Sequence, residues 1–376
     1  MAGQITKRGE DTWQIRVFLG RDGNGKRKYF TQTIHGTKKL AQRELTKQLG
    51  KRDAGDLLSS SPVFLKDHIK KWLTNNARPR VKENTFAGYE WIANTYIIPK
   101  IGMYRMSELQ ARHEIIQDFY SELKNSGLSA RTVRYTHSVL SSAMRSAVAD
   151  GSILRNPCSR CALPRKDAPE MKYFTGEEVK LFLAAAKYDR LYTLFLLAVE
   201  SGLRPGEYLG LQWKDVDFEG SSLSVRRSVK IRKGGGFYFT EPKTKTSKRM
   251  LPLSPTLITA LRTHRRDQAE AIMKRRDVYQ DHGLIFANEL GLPILLENLR
   301  NRHFAKIIAA AGVSKIRLYD LRHTTATLLL SAGVHPKVVS ERLGHASIVL
   351  TMDTYSHVLP TMQQDATDSI ERLMLG

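Results

Sequence analysis

At 376 residues the chain is long for a single core, and two or three domains are expected. Its 60 Lys and Arg against 37 Asp and Glu give a formal charge of +23, which excludes an ordinary metabolic enzyme and points to a polyanionic partner, nucleic acid before an anionic membrane. No run approaches the roughly 20 apolar residues of a spanning helix, and the N-terminus lacks a signal-peptide core, so a soluble, cytoplasmic protein without a membrane partner is expected.

In residues 1–58, "TWQIRVFLG" and "RKYFTQTIHG" flank Asp22-Gly23 and Asn24-Gly25, which reads as a β-hairpin. A helix follows in "TKKLAQRELTKQLGKRDAG", with Leu40, Leu45 and Leu49 on roughly one face. The segment holds 13 basic and 6 acidic residues. A small basic sheet backed by one helix suits a DNA groove; a solvated surface is the alternative. "LLSSSPVF" reads as a linker.

Residues 62–165 read as helical, with candidates at 63–73, 85–98, 113–124 and 130–149. In the last, Val133, Leu140, Met144 and Val148 share one apolar face. This segment has 16 basic and 8 acidic residues, which suits a clamp on a duplex. Cys158 and Cys161 in "NPCSRCALP" form half a zinc site at most, with no nearby partners, and read as reduced thiols of a linker. "PRKDAPE" reads as a second linker.

The third segment, 170–376, opens with a Thr175/Glu178 capping box before "VKLFLAAAKY". The apolar helix "LYTLFLLAVESG" ends at Gly202, and Pro205 starts another. Strand-like pieces follow in "SLSVRRSVKI", "GGFYFTEPK" and "RMLPL", and helices resume to the end. The glycines of "KGGG" read as a hairpin turn. The expected fold is α+β but mainly helical: a small N-terminal sheet plus helix, a helical domain, and a mixed helical domain with small antiparallel sheets.

Two arginines occupy odd places. Arg204 sits between one helix's end and the next one's start, with Glu207 in reach to buttress it. In "RLYDLRHTTATLLLSAG", Asp320 reads as the N-cap, which puts Arg322 and His323 in the first turn. A cation there opposes the helix dipole. Two such arginines converging would make a phosphate site; structural ion pairs are the plainer reading of either alone.

The neighbourhood is more specific. "GLRPGE", "YDLR", "LGH" and "TYSH" occur in the order expected of one enzyme group, with "FTEPKTKTSKRMLPL" between the first two. The chain resembles the tyrosine recombinase family of phage and mobile-element integrases, over roughly residues 172–360 for the catalytic part. The resemblance implies an arm-type DNA-binding domain at 1–58, a core-site DNA-binding domain at 62–165 and a catalytic domain at 170–376. It implies a site-specific recombinase that integrates or excises a mobile element without ATP, metal or other cofactor. Tyr355 would attack the scissile phosphate to give a 3′-phosphotyrosyl link. Arg204, Arg322 and His345 would hold the phosphate, and Lys243, or Lys245 two residues on, would protonate the leaving 5′-oxygen. Tyr319 stands where the family usually has histidine; a neutral phenol is a poor base near neutrality, so a hydrogen-bonding role is expected. His323 is expected to point elsewhere on the helix.

The implied partners are double-stranded DNA at core and arm sites and a homotetramer assembled on it, with an excisionase and a DNA-bending host factor also admitted. Met362, Ala366, Ile370 and Leu373 in the tail would then dock on a neighbouring protomer. The rival readings are a catalytically weak architectural DNA-binding protein, a type IB topoisomerase-like relaxing enzyme, and a metal-dependent nuclease. The last needs clustered carboxylates, and Asp215, Asp217 and Glu219 read as a solvated turn.

Overall fold

The computed structural model describes residues 3–21, 27–53, 63–165, 171–232, 235–241, 248–355 and 360–375. The chain divides into two compact units, residues 1–169 and 170–376.

The first unit begins with an antiparallel sheet of β1 (Gly3–Gly9), β2 (Thr12–Arg21) and β3 (Arg27–His35), in that order. β2 and β3 are the expected hairpin arms; residues 22–26 between them lie outside the described residues. β1 was not legible, because its "GQITKRG" carries one large apolar residue, Ile5, paired with Ile15. Alternate residues of β2 face one side, and Ile15 and Val17 are buried against Ala41 and Leu45 of α1 (Lys38–Asp53). Leu49 also packs there, but Leu40 is 48 % exposed. Five residues carry the helix about 140° past a full turn, so Ala41, not Leu40, shares Leu45's face.

A separate core is built by α2 (Leu65–Trp72), α3 (Glu83–Ile92), α4 (Ile98–Ile101), α5 (Met106–Ala111), α6 (Glu114–Asn125) and α7 (Ala130–Ala149). π-helical turns at Leu73–Ala77 and Ala93–Ile97 extend α2 and α3. α5 is too short to show a period in sequence. Ser129 caps α7 by accepting the Thr132 N–H, and Val133, Leu140 and Met144 are buried, with Val148 at the margin.

The cysteine segment is not a linker. Asn156 accepts the Cys158 N–H and donates to Ser141, folding Pro157–Arg160 into a 3-10 turn that seats Cys158 fully buried in the helical core. Both thiols are free, and burial pushes Cys158 up to about 12 and Cys161 up to about 11. A thiol held protonated is neither a ready metal ligand nor a nucleophile.

The second unit contains α8 (Gly176–Ala186), α9 (Tyr192–Ser201) and α10 (Pro205–Tyr208), then the strands β4 (Val216–Asp217), β5 (Ser222–Val225), β6 (Ser228–Ile231), β7 (Phe237–Thr240) and β8 (Arg249–Pro252). They pair as two antiparallel sheets, β4-β5-β8 and β6-β7. There follow α11 (Pro255–Lys274), α12 (Leu296–Asn298), α13 (Ala305–Ala311), α14 (Asp320–Ser331), α15 (Pro336–Leu343), α16 (Ile348–Tyr355) and α17 (Pro360–Leu375). The fold is mainly helical with small antiparallel sheets, as expected. Among the described residues no helix is long and apolar enough to cross a membrane.

The Thr175/Glu178 capping box forms, and Glu178 also accepts from the Ser314 backbone N–H at 3.0 Å, joining the start of α8 to the approach to α14. Phe182, Phe195 and Phe304 lie within 5.6–6.1 Å of one another in the main core. Ala326, Leu330, Val339 and Leu343 form a smaller core between α14 and α15. Asp215 is not solvated: it is buried, accepts the Gln212 N–H and pairs with Arg227, while Asp217 caps the turn by accepting from Glu219 and Gly220.

Candidate active site

Gly202 ends α9 in a left-handed conformation at φ 64°, and its carbonyl points to where α14 begins. Arg322 donates to that carbonyl through Nη1 at 2.9 Å. α14 starts one residue earlier than a cap at Asp320 would require. Tyr319 is the cap residue, and Asp320, in the first turn, accepts the Arg317 backbone N–H and pairs with its guanidinium. Arg322 is still in the first turn, 2 % exposed, and its Nη2 is buried without a hydrogen-bond partner. Leaving such a donor unpaired costs about 1–3 kcal/mol. Burial, then Arg204, depress the Arg322 guanidinium to about 10, so it remains charged at neutral pH.

Arg204 precedes α10, whose Pro205 supplies the fixed first-turn geometry. Glu207 accepts the Arg204 backbone N–H through Oε2 and its Nη1 through Oε1, at 3.0 and 2.9 Å. Arg204 Nη2 reaches the Gly344 carbonyl at 3.4 Å. Burial alone would raise the Glu207 carboxyl, but Arg249 and Arg204 hold it below the usual carboxylate range.

Gly344 ends α15 at φ 67°, and the left-handed turn delivers His345, whose backbone N–H donates to Ser340. His345 Nδ1 lies 2.7 Å from the hydroxyl of Thr351, a buried residue of α16. Burial, with Arg322, Arg204 and Arg249 nearby, pushes the imidazole down to about 4, so it is neutral at pH 7. Tyr355 is the last residue of α16, one turn beyond Thr351; its side chain lies outside the described part of the chain. Lys243 and Lys245 fall in 242–247, between β7 and β8, and also lie outside the described residues.

Tyr319 is 41 % exposed, with its ring 5.5 Å from that of His323 in an edge-on arrangement. His323 therefore packs on Tyr319, four residues back, with Nε2 4.0 Å from Asp320 Oδ1. The structure thus brings Arg204, Arg322 and His345 together.

A family model described as "Phage integrase family" matches residues 172–362, and one described as "Phage integrase, N-terminal SAM-like domain" matches 64–124. A "Tyrosine recombinase XerC-like" protein of Caldanaerobacter subterraneus subsp. tengcongensis is 35% identical, over 98% of each chain. The chain belongs to the phage integrase family.

Its activity class is accordingly that of the tyrosine recombinases and integrases of mobile elements. The ICEBs1 integrase of Bacillus subtilis is 30% identical, over 78% of this chain and 79% of that protein. The fold matches the Tn1549 transposon integrase, solved with a circular intermediate DNA, at a TM-score of 0.69 and 23% identity, covering 83% of this chain and 99% of that one.

Two further groups of this candidate site carry no motif in the sequence. Thr351 gave no signal, because a threonine inside "IVLTMDTY" is ordinary helix. Arg249 in "TSKRMLPL" gives no signal either, being one basic residue in a basic stretch, but its side chain is 7 % exposed and pairs with Glu207 at 3.0 Å.

Proposed function

We propose that this integrase cleaves and rejoins double-stranded DNA through a phosphotyrosine at Tyr355, with Arg204 and Arg322 binding the non-bridging oxygens of the scissile phosphate. The observation that carries the reading is the buried Arg322 Nη2 without a partner, beside a second arginine and a neutral histidine. Such a cation is tolerated in the first turn of α14 because an anion completes it. The bound phosphate satisfies the orphan donor, and the charge growing on the phosphorane strengthens both contacts.

The Tyr355 phenolic oxygen attacks phosphorus, its proton passing to solvent water, and the bond to the 5′-oxygen breaks. The products are a 3′-phosphotyrosyl link and a 5′-hydroxyl, whose proton comes from Lys243 or Lys245. In this reading Thr351 donates to His345 Nδ1, so the neutral ring carries its proton on Nε2 and hydrogen-bonds a phosphate oxygen with it. Tyr319 takes the family's histidine position as a hydrogen-bonding group, not as the base. The same reading assigns residues 1–58 to arm-type sites, 62–165 to core sites and 170–376 to catalysis. The structures solved for the Tn1549 and λ integrases hold DNA, which supports the duplex as partner. Assembly as a homotetramer is part of the proposal. α17 exposes Ile370 and Leu373, which suits docking on a neighbouring protomer.

The test is covalency. Nicked duplex from the DNA flanking the coding gene is incubated with wild type and Tyr355→Phe in EDTA, then run on a denaturing gel. An SDS-resistant adduct absent from the variant supports the proposal. Adducts with both proteins would move the nucleophile elsewhere, and none from wild type on specifically bound DNA would sink the reading.

A further inference from the structure

Arg249 opens β8 and is pointed inward, away from the solvent that an arginine of a basic protein normally faces. Three features of the site converge on it. Its Nη2 donates to Glu207 Oε2 at 3.0 Å, the same oxygen that accepts the Arg204 backbone N–H. Its Nε donates to the carbonyl of Arg342, in the last turn of α15, at 2.6 Å. The Gly344 turn lies so close over the guanidinium that a Cβ at 344 would come within 2.8 Å of Nη1. Glu207, which holds Arg204, and the turn that delivers His345 are therefore both seated against one side chain.

We propose that Arg249 is a positioning residue that clamps Glu207, and through it Arg204, to the α15–His345 turn, fixing the separation of the phosphate-binding groups. The inference rests on the phosphate-binding reading above and assigns a function to a residue outside the groups that reading places on the phosphate. Charge makes the role specific. One carboxylate shared by two arginines leaves a net positive charge, so Arg204 is oriented by Glu207 without being neutralised by it. If Arg249 is removed, Glu207 is left buried with Arg204 as its counter-ion, and Arg204 is drawn away from the phosphate. Lysine cannot replace the arginine fully, because two donors on a rigid fork reach Glu207 and Arg342 together and a single ammonium does not.

The test uses the full chain as wild type, Arg249→Gln, Arg249→Lys and Arg204→Ala, on nicked duplexes with either an ordinary scissile phosphate or a methylphosphonate. The methylphosphonate lacks one non-bridging charge and so relaxes the demand for correctly held arginines. On ordinary phosphate, Arg249→Gln should cleave about 10- to 100-fold more slowly at unchanged DNA affinity, with Arg249→Lys between it and wild type. On methylphosphonate the Arg249→Gln and Arg204→Ala defects should both shrink to within a few-fold of wild type. Arg249→Gln cleaving ordinary phosphate at the wild-type rate would overturn the inference. So would an equal loss on both substrates accompanied by a lowered unfolding midpoint, which marks a purely structural residue. If Arg249→Gln does not fold, the same comparison on Arg249→Lys decides between these outcomes. No adduct from wild type on either duplex would instead overturn the phosphotyrosine reading, and this inference with it.

Discussion

Arg322 and His345 show how burial sets chemistry one side chain at a time. Arg322 is fixed by a single carbonyl and left with an orphan donor, whereas His345 is kept neutral by burial and three arginines. The histidine carries a stability consequence. Its folded value of about 4 lies below the ordinary 6.5, so as pH falls the unfolded chain takes up the proton first. Folding is therefore weakened progressively from about pH 6.5 down toward 4, by at most about 1.4 kcal/mol per pH unit from this group. Urea melts of wild type and His345→Gln at pH 7, 6 and 5 should show the excess acid sensitivity only in wild type; parallel losses would refute it. Arg204, Arg322, His345 and Tyr355 stand out as candidates because their motifs are local strings in a fixed order, and the structure brings the first three together. Arg249 and Thr351 do not stand out, since their significance comes from partners far along the chain.

The helices and turns hold those side chains through packing that periodicity only partly revealed. α7, α8 and the α9 stop at Gly202 followed from caps and apolar faces, where local chemistry and tertiary demand agree. α5 and β1 are short and weakly patterned; α5 is held by burial of Met106 and Leu109 and β1 by its pairing with β2. The cysteine segment looked like a linker from its prolines, yet Asn156 and the helical core fold it inward. The small α14–α15 core supports the His345 turn directly, with Leu343 one residue before Gly344 and fully buried. Leu343→Ala should destabilise the protein by about 2–4 kcal/mol, read from the urea midpoint. It should also slow cleavage more than a core truncation of equal cost in the other unit, such as Leu140→Ala. Equal slowing by the two variants would separate this packing from the site.

At the scale of the whole molecule, the +23 charge is the property that composition alone disclosed. Cations spread over all three segments should release many counterions, so DNA affinity should fall by about three orders of magnitude between about 50 and 200 mM salt. A titration by fluorescence anisotropy checks this, and a nearly flat response would remove the duplex as partner. Sequence by itself determined the family, the helical class and the order of the motifs, because catalytic strings and helix periods are written within a few residues. Tertiary structure alone decided that Arg204 and Arg249 are paired on Glu207 while Arg322 keeps a buried donor without a partner. That depends on Gly202, Glu207, Arg249, Arg322 and Gly344 meeting across more than 100 residues of chain. Such meetings are set by how the cores pack, and no local pattern in the sequence encodes the distance between two side chains that far apart.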